Sequence, residues 1–197
     1  MLCSDGMPVL SPPLLLSAYG KGFFPMADED GRMQWHHPDP RAVFPLDRIR
    51  PNQRLKRFLR SAGFTMRIDT AFHAVMECCA TAHGESWISP AMVEAYTGLH
   101  RAGHAHCVET WLGERLVGGI YGVSIGAAFF GESMFSLHAN ASKAAFHHLA
   151  DHLRQRGFQL FDTQYANAHT TSLGAVEIPR QEFLAALAKA AAAPVTF

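Results

Sequence analysis

Hydrophobic and polar residues follow two different periods along this chain. Apolar residues spaced three or four apart, which is typical of amphipathic helices, predict helices over 11–20, 51–63, 70–79, 89–103, 140–157 and 178–193. Alternating or continuous apolar residues predict strands over 64–68, 105–112, 115–126, 127–136 and 158–164. The short glycine-containing links between the middle strands predict antiparallel neighbours. This order of elements predicts a mixed α/β fold.

The first third of the chain differs from the rest, and we predict a small N-terminal unit over 1–62 and a main domain over 63–197. In the N-terminal unit, a short helix is followed by a proline-rich connection, "WHHPDPRAVFPL", and by an amphipathic helix that Gly63 ends. In the main domain, Asp69 and Ser89 are the predicted N-caps of the two helices that follow them.

Composition excludes several classes of protein. With 48% hydrophobic and 17% charged residues, the chain is typical of globular rather than disordered proteins. Its apolar runs are shorter than the roughly 20 residues that span a bilayer, and it starts without the basic and apolar segments of a secretory signal. Adjacent Cys78 and Cys79 fall in a helical pattern and are predicted to be core residues rather than a disulfide or a metal site. We expect a cytoplasmic protein.

The formal net charge is zero, but the charges are unevenly distributed. The segment 41–67 contains eight basic residues and one acid, so it carries +7 and the rest of the chain −7. Local positive charge of this kind favours a polyanionic partner, although a solvated helix face is an equally simple explanation. Tyr19, Trp35 and Trp87 fall in or beside loop-like segments, where aromatic rings can stack on nucleobases.

Three polar residues interrupt apolar strands. Asp162 and Gln164, in "GFQLFDTQYANAH", continue the strand face that Phe158 and Leu160 begin, and Glu132 interrupts "FFGESMF". A carboxylate on a core-facing position is costly unless it is paired. Such groups could bind a cation, orient an amine nucleophile or move protons. Alternatively, they could pair with basic or backbone groups for purely structural reasons.

Other common catalytic motifs are poorly matched. His100 and His104, in "HRAGHAH", have the spacing of helical metal ligands, but Gly103 ends that helix and the acid of an H-E-x-x-H pattern is missing. The sequence contains neither a G-x-x-x-x-G-K-[ST] phosphate loop nor a G-x-S-x-G nucleophile elbow. We therefore expect no metal centre.

Six stretches, in the same order along the chain, carry a family resemblance. They are "AYGKGFFP", "HPDPRAVFPL", "SWISPAMVEAYTGLHRAGHAHCVETW", "LVGGIYGVSIG", "FFGESMFSLHANASKAA" and "FDTQYANAHTTSLGAVEIPRQEFL". Together they resemble the bacterial leucyl/phenylalanyl-tRNA–protein transferases. The resemblance implies a GNAT-like acyltransferase core domain of mixed α/β type with a small N-terminal domain.

The resemblance also implies a reaction. Leu, Phe or Met passes from its aminoacyl-tRNA to the α-amino group of a protein that begins with Arg or Lys, and the product carries an N-terminal degradation signal. Because the acyl group arrives already activated as a tRNA ester, no metal, ATP, CoA or other cofactor is implied.

Individual residues match the family's functional positions. The implied reaction centre consists of Asp162 and Gln164, in "D-x-Q", and Glu132, in "G-E-S-M-F". The implied aminoacyl pocket consists of Ile120, Phe129, Met134, Phe146 and Phe161. The implied contacts with the 3′ end of tRNA are Tyr19, Trp87, Asn167 and Ser172, and the phosphate patch consists of Arg41, Arg54, Lys56, Arg57 and Arg60.

The sequence is compatible with more than one role for some of these residues. Asp162 and Gln164 could assist proton movement or only align the amine, and Glu132 and Asp162 could instead attract the acceptor's positive side chain. Phe161 stands where the family more often has an aliphatic residue, which could favour Leu over Phe.

Two alternatives share the same fold. A CoA-dependent N-acyltransferase needs an [RQ]-x-x-G-x-[GA] turn that opens a helix. The nearest match, Arg154–Gln159, lacks the last residue and closes a helix. A noncatalytic module that binds tRNA or peptide is the second alternative. Binding of acetyl-CoA would support the first, and binding of tRNA without turnover the second.

Overall fold

The computed structural model describes residues 10–28, 32–82 and 88–197. Its helices are α1 (Pro12–Tyr19), α2 (Gln53–Ser61), α3 (Phe72–Thr81), α4 (Pro90–Arg101), α5 (Ala141–Arg156), α6 (Ala168–Ser172) and α7 (Arg180–Ala191). Its strands are β1 (Phe24–Ala27), β2 (Met33–His36), β3 (Arg41–Val43), β4 (Phe64–Ile68), β5 (Ala105–Leu112), β6 (Arg115–Ile125), β7 (Ala128–Ser136), β8 (Leu160–Gln164) and β9 (Val176–Ile178). The predicted mixed α/β class is confirmed. In the described ranges, no helix is both long and apolar enough for a membrane span.

Seven strands form one sheet in the order β4-β5-β6-β7-β8-β3-β9. All neighbours in it are antiparallel except β7 and β8, which run parallel and are connected through α5. The predicted antiparallel pairing of β5, β6 and β7 is confirmed. Strands β1 and β2 pair separately as an antiparallel hairpin.

Two apolar clusters cover the two faces of the sheet. On one face, α5 packs over buried residues that include Val108, Ile120 and Phe129. On the other face, α1, α3, α4 and α7 supply residues such as Leu15 and Phe183. The start of α5 lies directly against β6 at Gly118, where an added Cβ would stand 2.6 Å from the Ala141 Cβ. This close approach holds the start of α5 against the part of β6 that pairs with Ser136 of β7.

Two local predictions are wrong. The segment "WHHPDPRAVFPL" is not only a connection, because it contains the end of β2 and all of β3. Asp69 does not cap α3, whose N-cap is Ala71. Instead, Glu109 accepts hydrogen bonds from the N–H groups of Thr70 and Ala71, at 2.7 and 2.8 Å. The predicted cap of α4 is confirmed, since Ser89 Oγ accepts from the Met92 N–H.

The position of β3 bears on the predicted division into two units. β3 lies between β8 and β9 in the large sheet, although its residues fall within the predicted N-terminal unit. The division at residue 62 stays a prediction, and β3 connects the two parts across it.

Candidate active site

The candidate site forms where β7 and β8 separate. Their parallel pairing ends at Phe130↔Asp162. Immediately beyond, each strand contains a bulge: Glu132 is the extra residue of β7 opposite β6, and Thr163 is the extra residue of β8 opposite β3. Bulges redirect side chains, and here Gln164 Nε2 donates a hydrogen bond of 2.7 Å to Glu132 Oε1. Two of the three predicted catalytic side chains are thus in direct contact.

Gln164 has an unusual backbone conformation. Its φ of 67° lies in the left-handed region, which costs a residue with a Cβ about 1–2 kcal/mol. Its N–H donates a hydrogen bond of 3.0 Å to Asp162 Oδ1, which holds this conformation. Local strain of this kind is concentrated at functional sites, and here it directs the Gln164 side chain to Glu132.

Asp162 forms a buried ion pair with Arg41, and both side chains have no exposed surface. Arg41 Nε donates to Asp162 Oδ1 at 2.8 Å and Nη2 donates to Oδ2 at 2.6 Å. The predicted place of Arg41 in a surface phosphate patch is therefore wrong. A guanidinium at this depth has to be paired, and Arg41 is paired with the carboxylate rather than with solvent.

Glu132 lies in a different electrostatic environment. The pKa of its carboxyl group is raised to about 8, mainly by burial and also by the charge of Asp162. Hydrogen bonds from the hydroxyls of Tyr19 and Tyr96 and the charge of Arg41 act in the opposite direction. The Tyr96 hydroxyl lies 3.4 Å from Glu132 Oε2 and also bonds the Tyr19 hydroxyl. At neutral pH, Glu132 is therefore largely protonated.

Tyr19 belongs to this buried network rather than to a surface that could contact tRNA. Its side chain has no exposed surface, and its ring packs against Phe130 with centroids 5.0 Å apart. The predicted contact of Tyr19 with the 3′ end of tRNA is wrong, because both the ring and the hydroxyl are engaged inside the protein. The other predicted aromatic contact, Trp87, lies outside the described residues.

An apolar cavity of about 430 Å³ opens beside Glu132. Three of the five residues predicted for the aminoacyl pocket line it, namely Ile120, Met134 and Phe161. The other two lie behind the wall: Phe129 and Phe146 pack on the Phe161 ring at centroid distances of 5.6 and 5.9 Å. The sequence interpretation missed lining residues from segments without a strong pattern, including Phe44, Thr163, His169 and Thr170.

Comparison with known proteins identifies the family. The family described as leucyl/phenylalanyl-tRNA protein transferase matches residues 43–188, and its N-terminal domain matches residues 9–39. The chain belongs to the leucyl/phenylalanyl-tRNA–protein transferases. It is therefore an aminoacyltransferase.

Relatives of the same name are similar along nearly their whole length. The leucyl/phenylalanyl-tRNA–protein transferase of Gloeobacter violaceus is 50% identical over 189 residues, which cover 95% of this chain and 97% of the relative. That of Ruegeria pomeroyi is 49% identical over 183 residues, which cover 92% of this chain and 87% of the relative.

Similarity to solved structures is coarser. A ribosomal-protein-alanine N-acetyltransferase from Brucella melitensis biovar Abortus is 15% identical with a TM-score of 0.40, covering 56% of this transferase and 86% of that chain. The structure of L-PGS from Bacillus licheniformis is 13% identical with a TM-score of 0.42, covering 79% of this transferase and 51% of that chain.

The remaining predicted tRNA contacts of the transferase lie around α2 and α6. The four basic side chains predicted on α2 are exposed: Arg54, Lys56, Arg57 and Arg60. A second cavity, of about 660 Å³, separates α2 from the start of α5 and is lined in part by Arg54, Lys143 and Ser172. Asn167 lines the apolar cavity, and its side chain accepts from the Thr170 N–H to cap α6.

Proposed function

We propose that this transferase joins Leu, Phe or Met from aminoacyl-tRNA to the α-amino group of proteins that begin with Arg or Lys. The observation that carries the proposal is the apolar cavity beside the hydrogen-bonded pair of Glu132 and Gln164. An apolar side chain in the cavity would bring its ester carbonyl to this pair. The product would carry an N-terminal degradation signal, and we expect the reaction to occur in the cytoplasm.

The cavity suits a long, apolar amino acid. Its walls include Ile120, Met134 and Phe161, and a volume of about 430 Å³ is large enough for the side chain of Leu, Met or Phe. Branching at Cβ would bring bulk to the entrance rather than to the interior. Because a single methyl group changes binding by only about 1–3 kcal/mol, we expect transfer of Ile to be reduced rather than abolished.

Glu132 lines that cavity, and its hydrogen-bond partner Gln164 lies next to it. In the reaction, the neutral α-amine attacks the ester carbonyl carbon, the bond to the ribose oxygen breaks, and the amine proton ends on that oxygen. The Gln164 Nε2 donates to Glu132, which leaves the amide oxygen of Gln164 as an acceptor for an N–H of the amine. An amine held in this way is aligned with the ester.

Among the three predicted catalytic residues, Glu132 is the one suited to exchange a proton or to meet the acceptor's cation. Asp162 uses both oxygens in the pair with Arg41, whereas Glu132 borders the cavity. A cationic Arg or Lys side chain near Glu132 would favour its ionised form, and this would link recognition of the acceptor to the charge of the site.

Transfer of radiolabelled Leu from charged tRNA to a peptide that starts with Lys tests the proposed function. We expect labelling that depends on the enzyme, that a matched peptide starting with Ala does not show, and that ribonuclease treatment of the charged tRNA prevents. Charged Ile-tRNA serves as the comparison for pocket shape. Equal labelling of the Lys and Ala peptides would contradict the proposed acceptor, and binding of tRNA without any labelling would contradict the reaction.

The basic face of α2 is expected to bind tRNA phosphates. Replacing Arg57 and Arg60 with Gln should weaken tRNA binding and reduce the slope of log affinity against log salt by about 1 for each phosphate that the variant no longer binds. Filter binding at several salt concentrations measures both effects. The matched control is the double variant Arg101→Gln with Lys189→Gln, which removes two exposed positive charges outside α2. Equal salt slopes for both variants would rule out this face as the phosphate-binding surface.

A further inference from the structure

We propose that Arg41 is a positioning residue for aminoacyl transfer, which acts through Asp162 to hold Gln164 in its working orientation. The inference rests on the proposed function, and it gives Asp162 a different role from that of a proton acceptor. It is carried by a continuous series of hydrogen bonds that begins at the buried Arg41 and ends at the partly buried Glu132.

Both carboxylate oxygens of Asp162 already have hydrogen-bond partners. Its Oδ1 accepts from Arg41 Nε at 2.8 Å and from the Gln164 N–H at 3.0 Å, and its Oδ2 accepts from Arg41 Nη2 at 2.6 Å. The carboxylate therefore connects a fixed cation to the backbone of Gln164. In this position, the carboxylate of Asp162 stabilises the left-handed backbone conformation of Gln164, whose φ is 67°.

The contacts of Arg41 require a guanidinium group rather than any positive charge. The third guanidinium nitrogen of Arg41, Nη1, also has a partner, because it donates to the Gly22 carbonyl at 2.9 Å. Its guanidinium carbon lies 4.7 Å from the centroid of the Phe24 ring and 4.5 Å from that of Phe183. The planar guanidinium of Arg can pair with both carboxylate oxygens and stack between two aromatic rings. Lys has a single ammonium group and cannot reproduce the bidentate pair.

The pairing of β3 with β8 transmits the position of Arg41 to the site. The next two residues of β3 pair with β8 as Ala42↔Gln164 and Val43↔Asp162. The side chain and the backbone of the same segment therefore hold β8 at its bulge. A displacement of Asp162 would move the Gln164 side chain, and shifts of about 1 Å in positioning groups lower turnover by about 10²-fold.

A double-mutant cycle separates positioning from general damage. We expect Arg41→Lys to lower kcat by about 10–100-fold with little change in the KM for aminoacyl-tRNA. In the background of Gln164→Ala, the same substitution should lower kcat less than about 2-fold, because the group through which it acts is gone. Arg154→Lys replaces a partly buried arginine that donates to the carbonyls of Leu46 and Ile49, and is the control.

A spectroscopic readout keeps the inference separate from the proposed function. The ¹⁵N side-chain amide signal of Gln164, assigned by its loss in Gln164→Ala, should move in Arg41→Lys and stay in place in Arg154→Lys. This result needs no transfer activity, so failure of the labelling assay would leave the positioning contact independently measurable. An unmoved signal, or an effect on kcat that is equal in both backgrounds, would overturn the inference.

A second variant covers the case in which Arg41→Lys does not fold. Replacing both partners, as Arg41→Gln with Asp162→Asn, removes the two buried charges together and leaves no unpaired ion. The amide signal of Gln164 should move in this neutral variant too. A folded neutral variant with the wild-type amide signal and wild-type kcat would also overturn the inference.

Discussion

Replacing Gln164 with Ala is expected to lower the turnover of leucine transfer by about 10²–10³-fold, the effect typical of removing one preorganised polar group from a reaction centre. The Gln164 amide is bonded to Glu132 and, in the proposed reaction, would also accept from the incoming amine; Ala removes both contacts. Affinity for tRNA should change little, because the group acts on the reacting atoms. Single-turnover transfer and filter binding measure the two effects.

The choice of Gln164 over Asp162 follows from the buried ion pair. Removing one partner of such a pair costs about 3–5 kcal/mol of stability, so Asp162→Asn alone would combine a loss of folding with a loss of function. Gln155→Ala, on the exposed face of α5, is the matched control and should transfer at the wild-type rate. Turnover close to wild type in Gln164→Ala would remove the residue from the reaction centre.

Long periodic segments of the sequence are sufficient to predict most of the main domain. The apolar positions that recur through α5 and the long runs of β6 and β7 give strong local signals. β3 has only three residues, all buried, and follows a proline. Its strand conformation depends on pairing with β8 and β9, which lie in the last quarter of the chain and are invisible to a local pattern.

The candidate site is predicted best where polar residues interrupt apolar strands. Glu132 and Gln164 stand out in this way, and the structure brings them into contact. The assignment of Arg41 to the phosphate patch is wrong because counting charge along a segment cannot distinguish a buried cation from an exposed one. Other basic residues of the same segment, such as Arg57, are exposed on α2, whereas Arg41 is fully buried.

The wall of the cavity shows a second limit of prediction from the sequence. Phe44 lines the cavity from the segment after β3, and its ring lies 4.9 Å from that of Phe161. Phe146 is predicted to line the cavity but lies one layer deeper. All three are buried aromatics, and hydrophobicity alone does not tell which of two packed layers faces an opening.

Replacing Glu132 with Gln is expected to stabilise the fold increasingly as the pH rises. The pKa of Glu132 is raised from the ordinary 4.5 to about 8 in the folded protein, so folding takes up a proton between these values. The stabilising contribution of the protonated group is complete below pH 4.5 and is lost as the pH rises through 8. Gln stays neutral throughout, and its advantage should grow by about 2–4 kcal/mol between pH 5 and pH 8.5.

Urea unfolding of both proteins across this pH range measures the difference in unfolding free energy. Glu94→Gln, which neutralises an exposed carboxylate on α4, is the control and should show a difference that changes little with pH. A Glu132→Gln advantage that is constant with pH would mean that the carboxyl group is ionised in the fold at neutral pH. An advantage that grows with pH would mean that the transferase retains, beside its cavity, a carboxyl group that destabilises its own fold when it ionises. Carboxyl groups with strongly raised pKa values are concentrated at functional sites, so this result is the one expected if Glu132 belongs to the reaction centre.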